Sequence, residues 1–406
     1  MIVETRSAGI VAAAKPRDSW GAWRTTPTDS LSGQGVTPSS ALALAAVHGA
    51  VSLIADANGI MPLEVIDTRQ AAGSRVVRGG WLAAMLQHEP NEDMSGVDLW
   101  TFVNACMLLR GNAYLAKLPQ ADGTVQLYPM LPDIVTPYRS KSGKVFRVRL
   151  QDGAGTIVDE DYTSDAILHV KGRSLTDPLV GSSPIQLSRQ FLGTQLAQQE
   201  YQAKSYADGL LIKGVLSTPA SNITPDAADM IKSQWRQATG GIGSAHDVAV
   251  LHSGVTFQHI GLSPEDAQLI ETMRWGHTQV ATAYKIPASR LNGEGASLTY
   301  SNQGQDDLFL DKQACLPIRA QIEASLNRDR LLFGAQSAWV PRFNPEIVLR
   351  ADPMTRADVY QKMRAMGAIS VNEIRRFEDW SDIGPEGDDY TPVGGMGGVQ
   401  GGAANG

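Results

Sequence analysis

The sequence predicts an α+β fold, and three observations carry the prediction. Segments with strand-like alternation crowd between residues 60 and 171, while long stretches with helical spacing follow residue 183. Strands and helices kept in different parts of a chain argue against a regular βαβ alternation. Across 406 residues the hydrophobic fraction is 43%, enough for packed cores and more than one domain.

Residues 1–40 are rich in Ser, Thr, Gly and Pro, with Trp20 and Trp23 as isolated anchors, and read as a loosely ordered arm. A helix is expected from about Ser40 to Gly59, with Leu44, Val47, Val51 and Ile54 at helical spacing and Asn58-Gly59 as its stop. The segment from Pro62 to Asp67 alternates like a strand. A second helix from Gly96 to Leu109 sets Leu99, Phe102, Val103, Cys106 and Leu109 on one face. Strands follow at Ala113–Leu118, Val125–Pro129, Lys144–Leu150 and Ala166–Lys171.

From Ser183-Pro184 to Tyr206 the only breaker is Gly193. Ile185, Leu192, Leu196, Ala203 and Tyr206 make one narrow apolar stripe, flanked by Gln186, Gln190, Gln195, Gln198, Gln199 and Gln202. A long helix with uncharged polar flanks suits packing against sister helices. Residues 210–262 read as a compact insert, with a strand at Leu210–Leu216, a helix at Pro225–Thr239 and a hairpin around Ser253-Gly254. Ser263-Pro264-Glu265-Asp266 is a helix start, and Leu269, Met273, His277, Val280 and Tyr284 continue it up to Pro287. A loop with two glycines follows, then a long helix over about 302–333. Pro317 should kink that helix, because proline lacks the N–H and crowds the preceding turn. A strand near Pro345–Leu349 precedes two short helices opening at Thr355 and Ser370, separated by Gly367. The tail is Gly-rich.

Composition excludes several functions. Lys and Arg number 35 against 42 Asp and Glu, a net charge of −7, so the chain is not built chiefly to cling to phosphate. Cys106 and Cys315 are far apart and form no C-x-x-C pair; buried free thiols are expected. No P-loop, H-E-x-x-H or G-x-S-x-G motif is present, so no catalytic residue, metal site or cofactor is assigned. No basic n-region precedes an apolar stretch, and no apolar run reaches the ~20 residues of a membrane span. Arg139, Lys141, Lys144, Arg147 and Arg149 make a basic run that is either a solvated strand face or a charged contact. The C-terminal helix pair has the outline of a helix-turn-helix, but Val371–Asp379 carries a net −1, wrong for a groove reader.

Several motifs taken in order resemble the portal protein family of tailed bacteriophages, the head-to-tail connector of siphophage type. They are Val51-Ser-Leu-Ile-Ala-Asp56 with Met61-Pro-Leu-Glu-Val65, and Glu89-Pro-Asn91 leading to Leu109-Arg-Gly-Asn-Ala-Tyr114. Leu127-Tyr-Pro-Met-Leu-Pro132, Ile167-Leu-His-Val-Lys171 and Gly181-Ser-Ser-Pro-Ile185 follow. Later come Val250-Leu251 with Gly254, Ala267-Gln-Leu-Ile-Glu271, Ala281–Pro287, Ser297-Leu-Thr-Tyr-Ser-Asn302 and Asn372-Glu373-Ile374-Arg375.

The resemblance implies a non-enzymatic ring at one capsid vertex, typically a dodecamer, through which double-stranded DNA is packaged and later ejected. It implies a mixed α/β wing (residues 41–183, with a second part within 301–351) after the arm 1–40. Stem helices would span 184–209 and 263–286, the clip 210–262, the tunnel loop 287–300, the kinked helix the start of 301–351 and the crown 352–384; the arm 1–40 and the tail 385–406, which its Gly-rich composition marks as disordered, lie outside the resemblance. It places Arg290, Asn292, Gly293, Glu294, Gly295, Ser297 and Tyr300 at the DNA channel. It places Gln186, Gln190, Gln195, Gln199, Met273 and His277 at the contact between subunits, and Pro317 at the helix kink. The partners implied are further copies of the chain, the terminase large subunit, a head–tail adaptor, the major capsid and scaffold proteins, and DNA passing without sequence preference, with no membrane. The location implied is the virion, and the host cytoplasm during assembly. A DNA-processing enzyme and a DNA-binding regulator of a phage remain the alternatives. The charge reading agrees with a conduit, since each firm cation–phosphate contact adds grip and a sliding wall needs few of them.

Overall fold

The computed structural model describes residues 29–69, 76–77, 79–141, 143–151, 156–207, 214–217, 224–226, 229–230, 233, 256–259, 265–292, 300–334, 338–344, 353–378 and 380–392. The expectations for residues 1–28, most of 210–262, the Ser263-Pro264 start, the strand at 345–349 and the end of the tail lie outside these. The chain divides into two compact units, residues 1–343 and 344–406.

The first unit opens with α1 (Pro38–Leu42), α2 (Ala45–Gly59), β1 (Leu63–Asp67), α3 (Trp81–Gln87) and α4 (Gly96–Arg110). Six strands follow: β2 (Asn112–Pro119), β3 (Val125–Met130), β4 (Val135–Ser140), β5 (Gly143–Gln151), β6 (Ile157–Thr163) and β7 (Ile167–Lys171). Then come α5 (Pro184–Leu187), α6 (Arg189–Ala207), β8 (Gly214–Ser217), β9 (Thr256–His259), α7 (Glu265–Tyr284) and α8 (Ser289–Asn292). The unit ends with α9 (Tyr300–Leu310), a π-helical stretch (Asp311–Cys315), α10 (Leu316–Asn327) and β10 (Trp339–Phe343). All described strand pairs are antiparallel: β3-β2-β7, β4-β5-β6, β1 with β10, and β8 with β9. This is the mixed α+β architecture that the sequence predicts.

Local chemistry explains the central helix α4. Ser95 caps its first turn while Asp98 reaches back to the Ser95 N–H, and Gly111 ends it in a left-handed conformation at φ 75°. Leu99, Trp100, Val103, Cys106 and Met107 pack with β2, β3, β7, Ile322 and Leu326 of α10, and Phe343 of β10. Fully burying side chains of this size stabilises by about 1.5–3 kcal/mol each. A second core lies at the other end of α4. Leu108 and Leu109 meet α2, Ile185, Leu192, Val280, Ala281 and Tyr284, with Ala314 and Cys315. Asn58 of α2 donates to Asn104 of α4 at 2.8 Å, and Gly59 lies so close to Thr101 that a Cβ there would stand 2.0 Å from its Oγ1. Both cysteines are buried and free, and burial raises Cys106 to about 12 and Cys315 to about 11.

A buried ion pair ties α10 to the strands. Lys117 Nζ lies 2.5 Å from Asp329 Oδ2, the two side chains being 1% and 4% exposed. Lys117 also donates to the Ser164 carbonyl at 2.8 Å, and Asp329 Oδ1 accepts from the Leu331 and Leu332 N–H groups. Each charge thus has hydrogen bonds beyond the pair itself, which such a pair needs to offset desolvation.

The structure corrects the sequence reading in several places. The helix expected from Ser40 is two helices, because Leu44 is extended and packs into the second core. The helix from Ser183 is likewise broken at Ser188. Residues 29–40, expected as loose arm, are packed: Val36 is 2% exposed in the second core, and Leu31 N–H donates to Gln190 Oε1 at 2.8 Å. The described partner of β9 is β8, and residues 247–251 lie outside the described set.

In the second unit α11 (Pro353–Ala365) begins before Thr355, while α12 (Val371–Phe377) carries the Ser370–Glu373 capping box that the sequence shows. Residues 385–392, expected as disordered tail, are folded. A 3-10 turn forms at Pro385–Asp388, Asn372 donates to Gly384 O and Asp388 Oδ1, and Arg364 Nη1 donates to Thr391 O at 2.7 Å.

Candidate functional site

Three short segments that are far apart in sequence meet at the C-terminal end of α4. They are 109–114, 167–172 and 181–185, each with glycine at the crossing. Gly172 N–H donates to Gly111 O at 2.9 Å. A Cβ on Gly181 would stand 2.0 Å from Gly111 O, and one on Gly111 would stand 2.6 Å from the Ser182 backbone. Only glycine permits backbones so close.

The last carbonyls of a helix have no partner within it. Here the short helix α5, which leads into α6, and the long helix α7 supply them. Ser183, the N-cap of α5, donates its hydroxyl to Leu109 O at 2.7 Å while accepting from Gln186 N–H. Tyr284, in the last turn of α7, donates to Leu108 O at 3.4 Å; burial pushes its phenol well above the usual range. The α4 terminus is therefore the mount for both long helices.

A polar relay runs from this mount into the strands. Asn112 Oδ1 accepts from Gly181 N–H at 2.7 Å and from His169 Nε2 at 3.0 Å. An oxygen only accepts, so the His169 proton sits on Nε2 and Nδ1 is left to accept from Lys144 Nζ at 2.5 Å. The imidazole stacks on Tyr114 at 4.5 Å and meets Phe146 edge-on. Burial first, then Lys144 and Lys171, lower His169 to about 2, so it is neutral across ordinary pH. Burial, then Lys171, Arg328 and Arg139, lower Lys144 to about 8. Sequence reasoning placed Asn112, His169 and Ser183 in separate motifs and Tyr284 on a helix face, and gave none of them a part in a shared network. The available signal was a lone Asn and a lone His inside apolar strands.

The residues expected at a subunit contact fall on α5 (Gln186), α6 and α7. Gln195 lies against Gly276, where a Cβ would stand 2.4 Å from its Oε1, and Phe191 meets Trp275 edge-on at 5.9 Å. These helices thus pack on each other within one chain. Gln190 accepts from the Leu31 N–H, Gln186 and His277 are half-buried, and Gln199 is exposed. The Met273 side chain lies outside the described set.

Of the residues expected at a channel, Arg290 lies on α8 and pairs with Asp307, Asn292 ends α8, and Tyr300 opens α9. Gly293, Glu294, Gly295 and Ser297 lie outside the described residues. Pro317 stands in the first turn of α10, directly after the π-helical stretch. The N–H just before it, on Leu316, bonds to Asp311 O five residues back. Arg319, 3% exposed, reaches back across that stretch to Asp311 and donates Nη1 to Met61 Sδ at 2.8 Å.

Two other sequence features resolve here. Arg147 and Arg149 are met across the sheet by Asp161 at 3.0 Å and Asp159 at 3.1 Å, so these two acids are committed to arginines, while Glu160 accepts from the Tyr162 hydroxyl. Among the described residues no group of three His, Cys, Asp or Glu could hold a metal, and no helix is long and apolar enough to cross a membrane. On α12, Arg376 pairs with Asp382 at 2.6 Å, and Arg375 donates to Ser381 O and lies over the Trp380 ring. Both arginines of the would-be recognition helix are thus engaged within their own unit.

The sequence profile of the family described as phage portal protein matches residues 45–379. The chain belongs to the phage portal protein family. It is 28% identical over 376 residues to a probable portal protein of Streptomyces phage phiC31, covering 88% of this chain and 78% of the relative. It is 24% identical over 361 residues to the portal protein of Enterobacteria phage HK97, covering 87% of this chain and 83% of the relative. Among solved structures, the HK97-family portal protein from Corynebacterium diphtheriae superposes with a TM-score of 0.54 at 18% identity, covering 78% of this chain and 98% of that one. A chain from the neck of an empty gene transfer agent particle, computed with C6 symmetry, gives 0.57 at 21%, covering 94% and 98%. A portal's general role is that of a DNA channel.

Proposed function

We propose that this portal chain closes into a ring, a dodecamer in the particle, at one capsid vertex. Double-stranded DNA enters and leaves through its bore, and the ring docks the terminase large subunit and then the head–tail adaptor. The observation that carries the reading is the family match over residues 45–379. Neighbouring folds from gene transfer agent necks with C12 and C6 symmetry support a ring. Leu308, Phe309 and Leu316 lie 53%, 49% and 51% exposed on one helical run, apolar area that a neighbouring copy can cover. In this reading the strand-rich part is the wing, α5–α6 and α7 the stem, 210–262 the clip, 287–300 the tunnel loop, and 352–384 the crown. The major capsid and scaffold proteins are the partners that seat the ring in the virion, after assembly in the host cytoplasm. No step of this role needs bond-making chemistry.

The tunnel loop is the part that meets DNA. Arg290, its one cation, pairs with Asp307, which leaves the loop little to grip phosphate with. Replacing Asn292 and Glu294 together by Lys should slow or stall packaging in a packaging extract, while rings assemble as before. Packaging at the native rate in that double variant would remove the tunnel-loop assignment.

A further inference from the structure

The basic run read from the sequence does not survive as one patch. Its outer half, Arg147 and Arg149, is paired with Asp161 and Asp159. Its inner half gathers other cations instead. Arg139 and Lys144 stand directly opposite each other on β4 and β5. Lys144 is joined through His169 to the β7 strand, whose last residue is Lys171, and Arg328 closes the end of α10 on the same group. Four elements thus bring one cation each to one place.

None of the four has a carboxylate within ion-pair distance among the described residues, although acids are close in the chain. Asp329, the neighbour of Arg328, is taken by Lys117. Lys171 has a carbonyl partner, Pro178 O at 2.8 Å. Lys144 is held half-buried over the Phe146 ring, with burial first and its like-charged neighbours after it depressing its protonation. A fold that keeps four cations together and directs nearby carboxylates elsewhere leaves a charge for an external anion.

We propose that Arg139, Lys144, Lys171 and Arg328 form a phosphodiester-binding site for the backbone of duplex DNA, separate from the tunnel loop. The chain neighbours Ser140, Lys141, Gly143, Gly172 and Arg173 are polar, charged or glycine, a lining that favours a phosphate backbone over an acidic protein segment. The proposal goes beyond the conduit reading, because the bore must let DNA slide and this site holds it.

The test is binding of a short fluorescein-labelled duplex of random sequence to the full chain. Native protein is compared with Arg139→Gln/Arg328→Gln, both exposed positions, and with Arg147→Gln/Arg149→Gln as the control. Removing two phosphate contacts lowers the slope of log affinity against log salt by about 1.8, so the first variant loses about tenfold less affinity between about 50 and 200 mM salt. The control keeps the native slope. A second variant, Arg139→Gln/Lys171→Gln, must behave like the first, and unchanged thermal melting shows that both fold. A native salt slope in both variants overturns the proposal, as does displacement of the duplex by polyglutamate of equal charge as readily as by unlabelled duplex. Ring formation is scored separately by microscopy: intact rings with an unchanged slope remove this site and leave the conduit, whereas lost rings speak against the conduit alone.

Discussion

At the scale of single residues, two buried polar groups hold this fold to one arrangement. Lys117 and Asp329 join the strands to the end of α10, and removing one partner leaves the other charged in an apolar surround. Lys117→Met is expected to lower stability by about 3–5 kcal/mol in urea denaturation. Lys117→Met/Asp329→Asn should recover most of that loss, since Asn still accepts from the Leu331 and Leu332 N–H groups. Equal losses in both variants would show that the packing of the Lys117 stem, and not its charge, matters. His169 gives a pH signature. It stays neutral in the fold down to about 2, whereas an unfolded imidazole titrates near 6.5. Between those values the unfolded chain holds the extra proton, so stability falls as pH drops, at up to about 1.4 kcal/mol per pH unit. His169→Gln should flatten that fall between about pH 6.5 and 4; parallel curves for the two proteins would contradict the assigned environment.

At the scale of elements, the mount at the end of α4 decides where the long helices leave the strand-rich part. Gly181→Ala drives a Cβ toward Gly111 O, a backbone atom that cannot swing aside. A cost of about 1–3 kcal/mol or more is expected in thermal unfolding, while Gly35→Ala, where a Cβ meets open space, should stay within about 0.5 kcal/mol. The segments that build this mount were visible in the sequence, but their meeting was not, because it is set by contacts between residues 69 and 176 positions apart. Elements closed by their own side chains were legible: Ser95, Asp98 and Gly111 bound α4, and Ser370 and Glu373 open α12. Elements defined by distant partners were not. The β6 strand has no apolar alternation to announce it, yet Asp159 and Asp161 pair it to Arg149 and Arg147. The break at Leu44 has no glycine or proline to announce it; packing of Leu44 into the second core makes it. The π-helical stretch was foreseen only as a disturbance near Pro317, since the Asp311–Arg319 pair across it is a tertiary fact.

At the scale of the whole molecule, the charge and the exposed apolar residues fit one use. In the proposed ring, a chain of net −7 with Arg290 paired to Asp307 leaves the tunnel loop little to grip DNA with, and the cations around Lys144 stand apart from it as the proposed holding site. Leu308, Phe309 and Leu316 leave apolar area that a lone chain exposes to water. Both features have a purpose when copies stand side by side around an axis. End-on electron micrographs of the purified full-length protein, alone and with scaffold and capsid proteins, test this most directly. The account predicts closed rings with an axial hole wide enough for a duplex about 20 Å across; single chains under every condition, or closed particles without a hole, would contradict it.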